Sequence, residues 1–333
     1  MSRAGTLLRK VRRRVLPPPR FEIDNIELRG LEGELAALVK QRMQTGLPVG
    51  SLDGERSVRL QHPHKTDHLI KIKGSGFKGG PVWFGTLHRS GLRAPLFDYD
   101  GRMMVDVASG HDAAYLGGAS FQQASTEFRL ARRLAELGYP VVPCLGYGRV
   151  QHKSLSSWFS VHEMRTEWGS VAPPRVPLQG YVAAKLELGR LLLELGTRHQ
   201  LIGYAWFVAA PAGPLVLKDL HPFRMADPLS MSRTSWVMQM FFGLHIAALA
   251  SVHFARKAGI AESTYGDIRV AVFKTVSPGA TVADHVALSG ELVRPYMLGV
   301  PKHFDAAALR RVLEGNPITR GLLDVCPAEY ERW

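Results

Sequence analysis

The order of apolar and polar positions divides the chain into a strand-rich first half and a helical second half. Alternation is clearest in "HLIKIK" at 68–73, where Leu69, Lys71 and Lys73 share one face and Ile70 and Ile72 the other. That is the period-two pattern of a half-buried strand. Upstream, a helical apolar repeat runs from Leu31 to about Met43, and residues 60–165 read mostly as strand. One well-marked helix interrupts them. Ser120 and Gln123 have the form of a capping box, Phe121, Ala124, Phe128, Ala131, Leu134 and Ala135 make an apolar stripe, and Gly138 with Pro140 ends it. Two strands are expected after it, at 141–147 and 157–164.

A proline-rich joint, "SVAPPRVPLQG" at 170–180, precedes a mainly helical remainder. Helices are expected at about 181–197, where Leu188, Leu192 and Leu195 are spaced by four and three, at 235–258 and at 306–314. Between the first two, residues 205–209 and 215–217 read as a β-hairpin turned by "APAGP", which delivers Asp219 from the end of an apolar strand. The fold class expected is α+β. A basic tail covers 1–22, a strand-rich N-lobe 23–169 and a helical C-lobe 170–333.

Composition adds constraints. With 333 residues, 46% hydrophobic and 21% charged, the chain has ordinary globular content and material for two lobes. The most apolar stretch, 236–255, is broken by Gln239, Gly243, His245, Ser251 and His253, so no uninterrupted run reaches the roughly 20 residues of a membrane helix. Cys144 and Cys326 have no paired spacing, which points away from a disulfide framework and toward a reducing, cytoplasmic setting. His245 and His253 read as core or surface histidines, because no carboxylate stands at metal-site spacing from them. The net charge is +13, and about half of that excess sits in residues 1–20, which hold seven Arg or Lys and no acid. That segment reads as a solvated tail, or as a contact for an anionic membrane surface, nucleic acid or an acidic partner protein. With no aromatic-interleaved basic motif, no specific nucleic-acid partner is expected.

The candidate chemistry starts at Lys73. It is followed by Gly74, Ser75 and Gly76, whose missing Cβ atoms let backbone N–H groups approach an anion. Alone, this is equally a surface strand with its turn. Glu127 on the following helix, the strand residues Val161, His162, Glu163 and Met164, the long helix and the hairpin ending in Asp219 come next in order. Together they resemble the protein-kinase-like fold. Lys73-Gly74-Ser75-Gly76 and "STEFRLARRLAELGYPVVP" resemble most closely the selenoprotein-O family of kinase-like adenylyltransferases. The resemblance covers about residues 65–150 and continues to Asp219 by order alone.

It implies two lobes around a cleft lined by Lys73, Glu127 and Asp219, with ATP and Mg²⁺ as cofactors. Lys73 would meet the phosphates, oriented by Glu127, and Gly74, Ser75 and Gly76 would lie against them. Val161, His162, Glu163 and Met164 would form the hinge whose backbone meets adenine, and Asp219 would hold the metal. Phosphoryl or AMP would pass to a protein or small-molecule acceptor. One departure counts against transfer and for a regulatory or scaffolding pseudokinase. Kinase-like enzymes place a catalytic Asp and a metal-binding Asn before the hairpin, whereas this chain has "RHQLIGYAWFVAAPAG" there. His199, read as a helix cap, and Tyr204 are the acid–base candidates in it. In an alternative register "DLHPF" is the catalytic loop and Asp219 the base, but Arg224 stands where Asn is needed, and Asp227 or Asp267 would have to bind metal. More faintly, "FFGLHIAALASVHFARKAG" and "LRRVLEGNPITRG" resemble siderophore synthetases that adenylate carboxylates.

The tail generates its own prediction. A polybasic segment gains about 1 kcal/mol per Lys or Arg at an anionic bilayer and loses it with salt. Leu7, Leu8, Val11 and Val15 make too short an apolar stripe for firm anchoring. Binding to anionic liposomes should therefore be reversible and steeply salt-dependent, and removal of residues 1–20 should abolish it while the body stays folded. Co-sedimentation at two salt concentrations checks this; equal pelleting with and without the tail would contradict it.

Overall fold

The computed structural model describes residues 25–45, 51–52, 57–74, 119–152, 155–169, 177–210, 213–293 and 306–330. The basic tail, Ser75, Gly76 and most of the proline-rich joint lie outside the described residues. The described chain divides into two compact units, one of residues 25–74, 119–128 and 143–165, the other of 129–142 and 166–330.

The first unit is built on a six-stranded antiparallel sheet. Its strands are β1 (Asn25–Arg29), β2 (Ser51–Leu52), β3 (Ser57–Gln61), β4 (His68–Lys73), β5 (Cys144–His152) and β6 (Leu155–Arg165). Their order across the sheet is β1-β5-β6-β4-β3-β2. Register places Ile72 beside Val58 and Val161, and Ile70 beside Leu60. On that face they join Val150, Phe159 and residues of helix α1 (Gly33–Thr45), notably Val39 and Met43, in one buried cluster. Each such fully buried aliphatic side chain contributes roughly 1.5–3 kcal/mol. The other face of β4 is partly covered too. Lys71 is only 8% exposed, while Leu69 and Lys73 on the same face are half-buried, so this face is more covered than solvent-facing alternation predicts.

Helix α2 (Phe121–Glu136) starts as its sequence dictates. The Gln123 N–H donates to Ser120 Oγ at 3.1 Å, and the Ser120 N–H donates to Gln123 Oε1 at 3.1 Å. This is a reciprocal capping box. The helix is amphipathic, with Ala124, Ala131 and Leu134 buried, and its C-terminal part belongs to the second unit. There the Leu217 N–H donates to Pro140 O and the Val142 N–H to Leu217 O, at 2.9 and 2.8 Å.

The second unit contains α3 (Leu178–Arg198), α4 (Arg233–Lys257), α5 (Tyr265–Val270), α6 (Val282–Leu292), α7 (Ala306–Gly315) and α8 (Pro317–Val325). Two small antiparallel ribbons accompany them. Strands β8 (Trp206–Val208) and β9 (Val216–Lys218) form the expected hairpin, and β7 (Leu201–Ile202) pairs with β10 (Arg224–Met225). Among the described residues α4 alone is long and apolar enough to cross a membrane, yet 67% of its most apolar stretch is buried in the unit. A core helix of a globular body has the same signature. His245 on α4 sits in that core, its Nδ1 2.9 Å from His285 Nε2 on α6, while His253 is half-buried.

One buried charge here has a measurable consequence. Lys185 on α3 is 2% exposed, with its ammonium 4.7 Å from the Phe207 ring centre and 5.2 Å from that of Tyr181. Ring faces attract a cation, but burial still pulls the amine down to about 7 from 10.5. Over that window the unfolded chain binds the proton that the folded chain has lost, so this group's contribution to stability rises with pH from about 7 toward 10.5. Lys185→Met should stabilise the protein at neutral pH by about 1–4 kcal/mol and remove that slope. Urea melts of both proteins at several pH values above neutrality read it directly. An unchanged slope, or a loss of stability at neutral pH, would contradict the assignment.

Candidate functional site

Strand β4 and helix α2 bring Lys73 and Glu127 together. Lys73 is the last residue of β4, fixed by its pairing with Ser57 and Ser160. Glu127 lies about two helical turns beyond the Ser120 cap, on the side of α2 that faces the sheet. The Lys73 ammonium donates to Glu127 Oε1 at 2.7 Å, with the glutamate side chain 4% exposed and the lysine 20%. A strand lysine oriented by a helix carboxylate is the arrangement that kinases use to hold phosphate.

The pair sits in polar company of which the sequence singles out only His162, as a hinge residue. Ser160 Oγ and His162 Nε2 lie 2.9 Å apart, both buried, opposite Lys73 and Lys71 respectively. Cys144, opposite His162, is 5% exposed. Burial first, then the Glu127 carboxylate, push its thiol up to about 12 against the opposing Lys73 ammonium. At neutral pH this thiol is therefore protonated and poorly reactive. These neighbours come from strand register, which no local signal specifies.

Gly74 has φ +85°, and a Cβ built there would lie 2.7 Å from the Trp158 carbonyl oxygen. The sheet alone therefore requires a glycine at this position. The expected hinge residues are strand interior. Met164 and Glu163 pair with Leu69 and Ile70 of β4, and β6 continues to Arg165. The Glu163 N–H donates to Pro143 O at 3.0 Å. Its carboxylate takes Lys65 and faces His62 and His68 at 3.7 and 3.8 Å. Val161 is fully buried in the α1-side cluster.

In the second unit Asp219 directly follows β9 at φ +58°. Non-glycine residues rarely adopt that region, and such strain of about 1–3 kcal/mol concentrates at functional sites. Lys218 Nζ approaches Asp219 Oδ2 at 3.4 Å. Between β7 and β8 stand only Gly203, Tyr204 and Ala205, so the segment without Asp or Asn is also short. It is tightly packed as well. A Cβ on Gly243 of α4 would lie 2.3 Å from the Gly203 carbonyl oxygen. Tyr204 is buried, and His199 is the C-cap of α3 with Nε2 3.0 Å from the Tyr139 hydroxyl. Asp227 Oδ1 accepts the Leu229 N–H within a turn, and Asp267 lies in the first turn of α5. Asp219 thus ends a hairpin, as the preferred register requires. Among the described residues no group of three or more His, Cys, Asp or Glu is arranged to hold a metal.

No protein-family model matches the chain, and no curated protein matches it. Among solved structures it is similar to a WaaP in complex with acyl carrier protein, at 14% identity and a TM-score of 0.34, over 83% of this chain and 98% of that one. It is also similar to a MAP kinase from Leishmania major, at 14% identity and a TM-score of 0.32, over 89% and 87% of the two chains. A third likeness is to an aerobactin synthetase from a hypervirulent pathotype of Klebsiella pneumoniae, at 11% identity and a TM-score of 0.34, over 80% of this chain and 52% of that one. At such scores it falls to the site geometry to carry a functional reading.

The Lys73–Glu127 contact is testable by itself. Lys73→Met leaves a buried carboxylate without its cation and should cost about 3 kcal/mol, more than Glu127→Gln. The double variant should recover part of the loss, with a coupling of about 1–3 kcal/mol. Chemical denaturation of the four proteins measures it, and additive effects would show that the two groups do not interact.

Proposed function

We propose that the chain is a kinase-like nucleotide-binding protein that holds ATP through Lys73 and acts on a partner by binding rather than by phosphoryl transfer. The observation that supports nucleotide binding is the Lys73–Glu127 pair, an ammonium held at 2.7 Å by a buried carboxylate at the end of a sheet strand. The observation that favours binding over transfer is the three-residue link of Gly203, Tyr204 and Ala205. It supplies no carboxylate to take an acceptor's proton and no second metal ligand. Asp219 is the residue that would hold Mg²⁺. One carboxylate with phosphate oxygens and water is within that ion's habit. The metal would neutralise phosphate charge, Lys73 would fix the phosphate in place, and Glu127 would keep the ammonium aimed.

A second reading, transfer of phosphoryl or AMP to a protein or small-molecule acceptor, draws support from one feature. Asp219 holds a left-handed backbone conformation, φ +58°, of the kind that clusters at functional sites.

Equilibrium binding of Mg-ATP to the full chain should be saturable and weaken about tenfold or more in Lys73→Met, a loss of about 1.4 kcal/mol. Incubation with ATP labelled at the α- or the γ-phosphate then separates the readings. Binding without label transfer supports the first, stable γ-label or α-label on an acceptor supports the second, and absence of binding overturns both.

A further inference from the structure

Away from these residues, the second unit carries an open groove of about 720 Å³ along α3. The opposite side of α3, with Tyr181, Leu188, Leu192 and Leu195, is buried in the unit's core. The groove side nevertheless carries two more leucines, Leu186 and Leu193, one heptad apart and half-buried. Pro278 faces them from the segment after the short turn at 271–273, as does Val325 at the end of α8, which is 38% exposed. These four residues give the groove an apolar floor that the core does not need.

Its rim is positive. Arg190, Arg198 and Lys274 line it against one carboxylate, Glu194. Among the described residues the arginines are engaged in exposed pairs along their own helix, Arg190 with Glu187 at 3.6 Å and Arg198 with Glu194 at 3.0 Å. Such pairs are worth about 0.3–0.5 kcal/mol, so an incoming carboxylate can compete for the guanidinium groups. From Leu186 to Arg198 the stripe is about 18 Å long at 1.5 Å per residue, the length of three turns of a docking helix. The groove is open along that length and does not enclose a small molecule as ligand pockets do.

We propose that this groove docks an amphipathic acidic helix from another protein. Its aliphatic side chains would seat on Leu186, Leu193, Pro278 and Val325, and its carboxylates would meet Arg190, Arg198 and Lys274. The inference does not depend on nucleotide binding.

The test uses the full chain and a fluorescein-labelled helical peptide of about 14 residues, with leucines at i, i+3, i+4 and i+7 positions and Glu or Asp elsewhere. Anisotropy should show saturable binding that weakens several-fold between about 50 and 200 mM salt. A peptide with its leucines replaced by serine should bind about tenfold more weakly or not at all. The double variant Arg198→Glu/Lys274→Glu should lose about tenfold or more in affinity, while Arg310→Glu/Arg311→Glu on the exposed face of α7 should lose little. Unchanged melting temperatures confirm that the exposed substitutions leave the fold intact. Failure of the acidic peptide to bind, equal losses in the two charge-reversal variants, or indifference to the leucines would each overturn the proposal. The last two outcomes would reduce the effect to general attraction toward a basic protein.

Discussion

A carboxylate at 3% exposure is the constraint around which the first unit is arranged. Taking an isolated ion of that kind out of water costs several kcal/mol, and in practice it either finds a cation or gives up its charge. Glu127 finds Lys73. For that to happen α2 has to begin at the right residue, which the reciprocal Ser120–Gln123 bonds enforce. Strand β4 has to end at Lys73 in the register that sets it beside Ser160. The chain then has to turn in the space under Trp158, where only a glycine fits. Capping, register and turn are separate local events, and one ion pair makes them mutually dependent. A one-residue slip of β4 would send Ile70 and Ile72 off the α1 face and bury the Lys73 charge beside Val58 and Val161.

What was legible in the sequence follows from how local each signal is. The capping box, the stripe of α2, the hairpin before Asp219 and the long helices α3 and α4 rest on contacts within a few residues, and pattern reading places them to within a few positions. Strand β1 was missed. Its five residues pair with β5, more than a hundred residues away in the chain, and nothing nearby marks it. Alternation puts Lys71 on the face of Leu69 and Lys73 but reports only a chemical difference between faces, whereas its burial depends on what covers that face. Residues 161–164, assigned to a hinge by their place in the order of elements, lie within β6, which stays paired with β4 to Arg165. Helices α6 and α8 carried signals that went unread. Thr281 with Asp284 forms a capping box, and Asn316 accepts the Ile318 N–H beside Pro317 at the helix start.

The costs the molecule carries are informative because they are not evenly spread. Glu127 is buried beside the Lys73 ammonium, Asp219 holds a backbone angle most residues avoid, and Lys185 sits between aromatic rings with no carboxylate paired to it among the described residues. Glu127 aims the Lys73 ammonium in the first unit, and Asp219 closes a hairpin strand in the second. The link between β7 and β8 shows the opposite economy. It is three residues long and packs so closely on α4 that a Cβ at Gly243 would lie 2.3 Å from the Gly203 carbonyl oxygen. An ammonium aimed by a buried carboxylate stands in the first unit, while the link of Gly203, Tyr204 and Ala205 carries no carboxylate, and this contrast is the physical reason for proposing binding over transfer.

Buried and exposed charges answer differently to salt, and this separates the two proposed sites. The Lys73–Glu127 pair is shielded by the protein itself, so counter-ions change its energy little, although they still screen the approach of a nucleotide. Arg190, Arg198 and Lys274 stand at the surface, where an interaction beyond about 8 Å is largely screened at physiological ionic strength. At the groove, therefore, charge chiefly speeds and orients encounter, and the apolar floor has to supply the lasting part of the affinity. Leu186 and Leu193, more than the arginines beside them, then set how long a bound helix stays.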